Sequence, residues 1–303
     1  GANSHGQLGQ GFRSEECVLP CEVDLSKCSL EPQKIKKIIG GAGHTLILDD
    51  YGCVYSCGWN NKGQVGFSTK EDILLFQKLK GKLKNKVIVD IACGWDCSAA
   101  LTIEGTLFVW GSNSFGQLGK HPNDLQWTHE PFEVVIDRKI KRISIGLRHT
   151  VLITEDYKVF VAGTDNKGQL GLNSTKNVLT LSNIEHISCG QHHTIAVAKD
   201  GNFYAFGDNK YGQLGINTDI FPKTLIPIKF GWSHVIVLKV INGYCTIENH
   251  RLERYQVSVG SEHNVALTKM EKFYVGGWNE HGNCGNGHTK DVKFPEQLLL
   301  SYN

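Results

Sequence analysis

The chain has 303 residues, of which 40% are hydrophobic, and a formal net charge of +2. This near balance of charge excludes a general electrostatic attraction to nucleic acid or to anionic membranes. No apolar run approaches the roughly 18 residues that a membrane-spanning helix requires, so we expect a globular chain with a large core and no membrane insertion.

A glycine-rich tail at the start of the chain is the first of six copies. Residues 6–9 read Gly-Gln-Leu-Gly, and Gly1 and Asn3 precede them at a fixed spacing. Because Gly supplies positive φ and Asn or Asp bonds its own turn, the pattern G-x-N-x-x-G-Q-L-G predicts a rigid structural loop rather than a phosphate-binding loop. With small variations, the closing motif begins at Gly6, Gly63, Gly116, Gly168, Gly212 and Gly282.

An opening motif, a glycine followed three positions later by a histidine, accompanies the later copies. In five copies the opening glycine lies 22 residues before the closing glycine, as from Gly41 to Gly63. Equal spacing predicts one supersecondary unit of fixed length that is repeated along the chain. The openings are Gly41/His44, Gly146/His149, Gly190/His193, Gly231/His234 and Gly260/His263, and Cys97 takes the histidine position after Gly94.

The copy Gly94–Gly119 shows what one repeat contains. Two short apolar runs, Ser98–Leu101 and Leu107–Trp110, flank an acidic-glycine turn at Glu104–Gly105, which predicts a β-hairpin. A further predicted strand precedes each opening motif, for example Ile140–Ile145. With one more strand, we expect four short strands per repeat.

Five lysines alternate along one segment between two repeats. They would share one face if this segment were a strand, and two explanations remain open. The lysines bind an acidic partner or a phosphate, or they protect an exposed strand edge from pairing. No aromatic residue interleaves with them, so nothing favours nucleic-acid stacking. The five are Lys78, Lys80, Lys82, Lys84 and Lys86.

The repeat is interrupted after Gly231. No closing motif lies 22 residues further on, at Glu253, and the next opening glycine, Gly260, follows after only 29 residues. Residues 240–254 carry no repeat pattern. We therefore expect a missing segment near residues 238–240.

The combined pattern G-x-x-H…W-G-x-N-x-x-G-Q-L-G resembles the repeat of the regulator of chromosome condensation family, and the resemblance extends over essentially the whole chain. It implies an all-β fold, a seven-bladed β-propeller that forms a single domain over residues 1–303. Six opening motifs and one orphan tail at the start imply seven blades, with the closing strands partly missing.

The repeated histidines invite a metal-binding or catalytic interpretation. They occur once per repeat, so they would be distributed around a ring rather than converge. We expect them to be buried structural rings that bond to neighbouring backbone, and we predict no catalytic residue, metal or cofactor. These histidines are His44, His149, His193, His234 and His263.

The ten cysteines include three C-x-x-x-C pairs. On a strand, Cys53 and Cys57 would lie roughly 13 Å apart, which is too far for one metal ion. We therefore expect reduced, buried thiols in a reducing compartment, the cytoplasm and also the nucleus.

The two residues between each opening glycine and its histidine position vary from repeat to repeat. A loop at this place lies near the axis at one end of a propeller, so the pairs are expected to line one face. Trp and Arg are enriched in binding hot spots, which favours a protein-binding face over tryptophan rings that only pack the rim. The predicted face comprises Trp95, Asp96, Leu147, Arg148, Gln191, His192, Trp232, Ser233, Ser261 and Glu262.

Two functions remain open. The resemblance implies a guanine nucleotide exchange factor or regulator of a small Ras-superfamily GTPase that acts in secretion, without covalent chemistry of its own. Its partner would be that GTPase or a subunit of a secretory complex. The alternative is a non-catalytic scaffold that docks a small protein, for example a zinc protein of the translation or tRNA-modification machinery. In both cases we expect a monomer without a nucleic-acid partner.

Overall fold

The structure is a computed structural model that describes residues 2–17, 22–172, 183–199, 203–210, 214 and 290, together with the backbone of the strands between residues 226 and 298. Its contacts divide the chain into two compact units, residues 1–155 and 156–303. The described strands fall into seven sheets. The helices of the described residues are short 3-10 turns, none of which is long or apolar enough to cross a membrane: Ser26–Cys28, Pro32–Lys34 and Gly81–Leu83.

The first unit contains twelve described strands. Two four-stranded antiparallel meanders, β3-β4-β5-β6 and β7-β8-β9-β10, follow the predicted four strands per repeat, while β1 pairs with β2 and β11 pairs with β12. The strands are β1 (Ala2–Asn3), β2 (Ser14–Glu16), β3 (Ile35–Gly40), β4 (His44–Asp49), β5 (Val54–Gly58), β6 (Ile73–Lys78), β7 (Ile88–Cys93), β8 (Cys97–Thr102), β9 (Leu107–Ser112), β10 (Trp127–Val134), β11 (Ile140–Ile145) and β12 (His149–Thr154).

The second unit also contains twelve described strands. Here β14-β15-β16-β17 and β21-β22-β23-β24 are four-stranded meanders, and β18-β19-β20 is a three-stranded sheet in the segment without a repeat pattern. The strands are β13 (Val159–Gly163), β14 (Ile184–Cys189), β15 (His193–Ala198), β16 (Phe203–Gly207), β17 (Ile226–Pro227), β18 (Val240–Ile241), β19 (Tyr244–Ile247), β20 (His250–Glu253), β21 (Tyr255–Val259), β22 (His263–Thr268), β23 (Phe273–Gly277) and β24 (Val292–Leu298). Residues 238 and 239 lie outside the described residues, so the missing segment there stays a prediction.

The hairpin of β8 and β9 shows why these residues form strands. Its register runs from Cys97 opposite Gly111 to Leu101 opposite Leu107. Gly105 closes the turn with φ +83°, a conformation that suits glycine. Both strands are buried along their whole length, which explains why they read as continuous apolar runs instead of alternating ones.

The core of the first unit lies between its two four-stranded sheets. Leu46 and Leu48 of β4, Ile91 of β7 and Trp110 of β9 belong to one hydrophobic cluster. The Trp110 ring is fully buried, and its Nε1 donates to the Gln64 carbonyl at 2.9 Å. The polar edge of the indole is therefore satisfied, and burial of this side chain stabilises the unit by roughly 2–3 kcal/mol.

The lysine-rich segment beyond Lys78 is not a strand, so its five lysines do not share one strand face. Strand β6 ends at Lys78, and Gly81–Leu83 form a 3-10 turn. Leu79 and Leu83 are both buried, and the Leu83 N–H donates to the Lys80 carbonyl at 3.2 Å, a bond that belongs to a turn and not to a strand. Gly81, with φ +60°, begins this turn.

Candidate protein-binding face

One hydrogen-bond pattern builds the closing tails. In the third copy, Asn113 Oδ1 accepts from the Leu118 N–H at 2.8 Å, and Gln117 Oε1 accepts from the Phe115 N–H at 2.9 Å. The Gly116 N–H adds a turn bond to the Asn113 carbonyl at 2.9 Å. These bonds hold the tip of the loop in one conformation. The two side-chain bonds recur at Asn3 with Gln7, Asn60 with Gln64, and Asp165 with Gln169.

In four repeats, a hydroxyl next to the histidine position binds the tail of the preceding repeat. Ser98 Oγ, for example, donates to the Gln64 carbonyl at 2.8 Å. These four opening loops are thereby held beside the tails that precede them in the chain. The equivalent bonds run from Thr45 to Gln7 at 2.7 Å, from Thr150 to Gln117 at 2.7 Å and from Thr194 to Gln169 at 2.9 Å.

The described histidines of the opening motifs are buried. His44, His149 and His193 are 1%, 0% and 0% exposed. His44 Nε2 lies 2.8 Å from Ser98 Oγ, so its ring bonds a side chain of the next repeat and not the backbone that the sequence suggested. Burial lowers the pKa of His44 to about 4, which leaves the imidazole neutral at pH 7. His234 and the side chain of His263 lie outside the described residues, as do Gly212 and Gly282.

Three opening loops of the first unit lie side by side. The Ala42 N–H donates to the Trp95 carbonyl at 3.3 Å. The backbones of Gly94 and Gly146 approach so closely that a Cβ on Gly94 would lie 2.7 Å from the Gly146 oxygen. The structure therefore brings together the pairs Ala42-Gly43, Trp95-Asp96 and Leu147-Arg148.

The side chains of these loops form a mixed aromatic and charged surface. The Trp95 side chain is 45% exposed. The Arg148 guanidinium lies over the Phe115 ring, with Cζ 4.2 Å from the ring centroid. Partial burial raises the pKa of Asp96, and the Ser112 hydroxyl and the charge of Arg148 oppose that rise. This carboxylate is therefore already partly desolvated before any partner binds.

The tail tips contribute side chains to this surface that the sequence reasoning missed. Phe115 supports Arg148, and a Cβ on Gly43 would lie 3.1 Å from Trp59 Cβ. The Trp59 ring in turn stacks on His5, with centroids 5.0 Å apart. The sequence did contain a signal for these side chains. The x positions of the tail pattern G-x-N-x-x-G, where Trp59 and Phe115 stand, vary from repeat to repeat as the opening pairs do.

The other six residues of the predicted face belong to the second unit. Gln191 and His192 lie between β14 and β15 of the second unit, where both are half-buried and the His192 carbonyl accepts from the Asp208 N–H at 2.8 Å. The remaining four, Trp232, Ser233, Ser261 and Glu262, lie outside the described residues.

The surroundings of the cysteine thiols in the first unit are unlike those of metal-binding thiolates. Cys57, Cys93 and Cys97 are buried and form no disulfide. Burial raises the pKa of Cys93 to about 12, and burial also raises the pKa values of Cys57 and Cys97. Within the described ranges, no group of three or more His, Cys, Asp or Glu side chains is placed to hold a metal ion.

The repeated meanders and their tails define a β-propeller protein built from RCC1-like repeats. The family model described as RCC1-like domain matches residues 1–247, and the chain belongs to this family. Both the resemblance drawn from the repeat and the all-β propeller fold are confirmed.

The chain is also similar to two curated relatives and to one solved structure. The secretion-regulating guanine nucleotide exchange factor of Bos taurus is 37% identical over 164 residues, which are 54% of this chain and 34% of the relative. The chain thus aligns with about a third of that protein. An RCC1 repeat-containing protein of Schizosaccharomyces pombe is 27% identical over 332 residues, covering 99% of this chain and 92% of that protein.

The solved structure is that of Prp20p from Saccharomyces cerevisiae. It superposes with a TM-score of 0.78 at 22% identity and covers 98% of this chain and 73% of its own. At this level of identity the likeness shows the fold.

Proposed function

We propose that this protein is a non-covalent regulator that binds a small Ras-superfamily GTPase and acts as its guanine nucleotide exchange factor in secretion. The observation that carries the proposal is the surface cluster of the first unit, in which exposed Trp95 adjoins Asp96 and the Arg148–Phe115 pair. This cluster is called the loop face below.

The loop face has the features of a binding hot spot. Trp95 offers a large apolar surface, and Arg148 is held over an aromatic ring, which lowers the entropy lost when its N–H groups bind a partner carboxylate. Asp96 has lost part of its hydration, so a partner Lys or Arg would pair with it at a reduced desolvation cost. The hydrogen-bonded tails hold these side chains on a fixed backbone.

Nucleotide exchange requires differential binding and no catalytic side chain. A regulator that binds the nucleotide-free GTPase more tightly than the nucleotide-bound form lowers the affinity for nucleotide by the same factor. The relatives support this role: the bovine protein carries the name of an exchange factor, and the Prp20p structure was reported with its binding properties to Gsp1p and histones.

The test measures release of a fluorescent guanine nucleotide from a panel of small GTPases. We expect at least one GTPase to release nucleotide about tenfold faster with this protein, which corresponds to an activation free energy of release that is about 1.4 kcal/mol lower. Stable binding to a different protein, without accelerated release from any GTPase, would instead establish the scaffold that docks a small protein.

Variants of the loop face test the surface itself. Trp95→Ala and Arg148→Ala should each weaken partner binding about tenfold or more. Ile103→Ala is the matched control, because Ile103 is 64% exposed but lies at the opposite end of β8, in its turn to β9. Binding that is unchanged in all three variants would discard the loop face, whatever the nature of the partner.

A further inference from the structure

A ridge of exposed lysines lies between β6 and β7. Residues 78–86 contain five lysines and no acidic residue, and every one of these lysines is exposed. Leu79 and Leu83 anchor the segment in the hydrophobic core cluster. Backbone bonds from Leu83 N to Lys80 O at 3.2 Å and from Lys86 N to Leu83 O at 3.1 Å hold its turns. The lysine ridge, Lys78, Lys80, Lys82, Lys84 and Lys86, is therefore presented on an ordered backbone.

The lysine ridge has no close ion pair within the described part of the chain, because no described carboxylate lies within ion-pair distance of a ridge lysine. Lys86 attracts Glu104 electrostatically, and Lys78 Nζ lies 5.9 Å from the centroid of the Tyr55 ring. The five ammonium groups repel one another, which is a small cost to stability.

The structure decides between the two explanations that the sequence left open. Because β6 ends at Lys78, the later ridge lysines do not border a strand edge. Protection of an edge against pairing therefore does not account for Lys80, Lys82, Lys84 and Lys86. The explanation that remains for these four lysines is an acidic partner or a phosphate.

Three ridge lysines line a cavity of about 340 Å³ between the ridge and β10. Its apolar lining includes Phe67 and Pro131. Glu130 is the carboxylate among the lining residues, and the Ser68 hydroxyl donates to it. The cavity thus combines three positive charges with one negative charge and an apolar surface. The lining lysines are Lys78, Lys80 and Lys82.

The geometry points to a docking site for an acidic segment of a partner protein. Asp and Glu side chains of that segment pair with the lysine ridge, and one apolar side chain enters the cavity beside Phe67 and Pro131. A nucleic acid fits this surface less well, because stacking of bases requires an open aromatic face and the Phe67 ring is packed against the core. The site shares no residue with the loop face, so the two surfaces can be tested separately.

The experiment uses fluorescence anisotropy with a labelled peptide of about 12 residues, Asp and Glu with one central Leu, at about 50 mM salt where exposed charges are weakly screened. Lys78→Gln, Lys80→Gln and Lys82→Gln are combined in one variant. The control variant combines three exposed lysines elsewhere, Lys36→Gln, Lys120→Gln and Lys139→Gln. Both variants lose the same charge, and thermal melting checks that both remain folded.

We expect the ridge variant to bind the acidic peptide about tenfold more weakly and the control variant to change by less than about twofold. Replacing the central Leu by Ser should weaken binding to the wild type further. Equal losses in both variants would show a response to net charge alone and would overturn the proposal. Absence of binding to the wild type, or tighter binding of a single-stranded oligonucleotide of equal charge, would overturn it as well.

Discussion

The buried imidazole of His44 should make the stability of this protein depend on pH. Burial lowers its pKa from 6.5 to about 4 in the folded chain, whereas the unfolded chain keeps a value near 6.5. Between these values the unfolded chain binds a proton that the folded chain does not bind. The contribution of His44 is therefore fully present above about pH 6.5 and is lost as the pH falls toward 4.

The size of the effect follows from the two pKa values. Their difference of about 2.5 corresponds to about 3 kcal/mol in full, and about 2.5 kcal/mol of this is lost between about pH 7.5 and pH 4.5. Urea unfolding at these two pH values measures it, with the fluorescence of buried Trp110 as the signal. Because other groups titrate as well, the informative quantity is the difference between the wild type and His44→Gln.

We expect the wild type to lose about 2.5 kcal/mol more than His44→Gln over this interval. His121→Gln, which removes an exposed histidine, should retain the pH dependence of the wild type. If His44→Gln and the wild type show the same pH dependence, the reasoning that His44 is held neutral by burial is refuted.

Two further comparisons test the tails and the close backbone approaches. Asn113→Ala removes three hydrogen bonds of a fully buried amide and should lower the free energy of unfolding by about 2–4 kcal/mol. Its control is Val135→Ala, which shortens an 87% exposed side chain and should change the free energy of unfolding by less than about 0.5 kcal/mol. Gly111→Ala would place a Cβ 2.5 Å from the Asp96 oxygen at φ +96° and should cost more than about 2 kcal/mol. Gly81→Ala, at φ +60° with no atom within 4 Å of its Cβ, should cost about 1 kcal/mol. Urea unfolding measures all four, and equal losses within either pair would contradict the packing described above.

The sequence predicted the strands well because that information is local. The apolar runs between glycine turns predicted a strand at Ile140–Ile145, and β11 has these bounds in the structure. They also predicted the β8–β9 hairpin, with strand ends that differ from the observed ends by no more than two residues. The constant spacing of opening and closing motifs predicted one repeated unit of fixed length, and the resemblance of that unit to the repeat of the regulator of chromosome condensation family implied the β-propeller.

The lysine segment shows where a local pattern misled. Alternating lysines have the period of a strand, and Leu79 and Leu83 would share the opposite face of that strand. The chain nevertheless turns at Gly81, whose φ of +60° lies in the left-handed region, and the Lys84 N–H donates to the Gly81 carbonyl at 3.0 Å. Glycine adopts this conformation at little steric cost, so only the backbone conformation at Gly81 shows that the strand-like pattern is interrupted.

The sequence by itself determined the repeat, the strands that the repeat contains, and the variable loop pairs at the opening motifs. The tertiary structure decided which side chains meet. Ser98 binds Gln64, 34 residues away, and His44, 54 residues away, and Phe115 of a tail lies under Arg148 of the next opening loop. These partners come from different repeats, so no local period encodes them. They depend on how one sheet packs against the next, which the chain defines only when it folds.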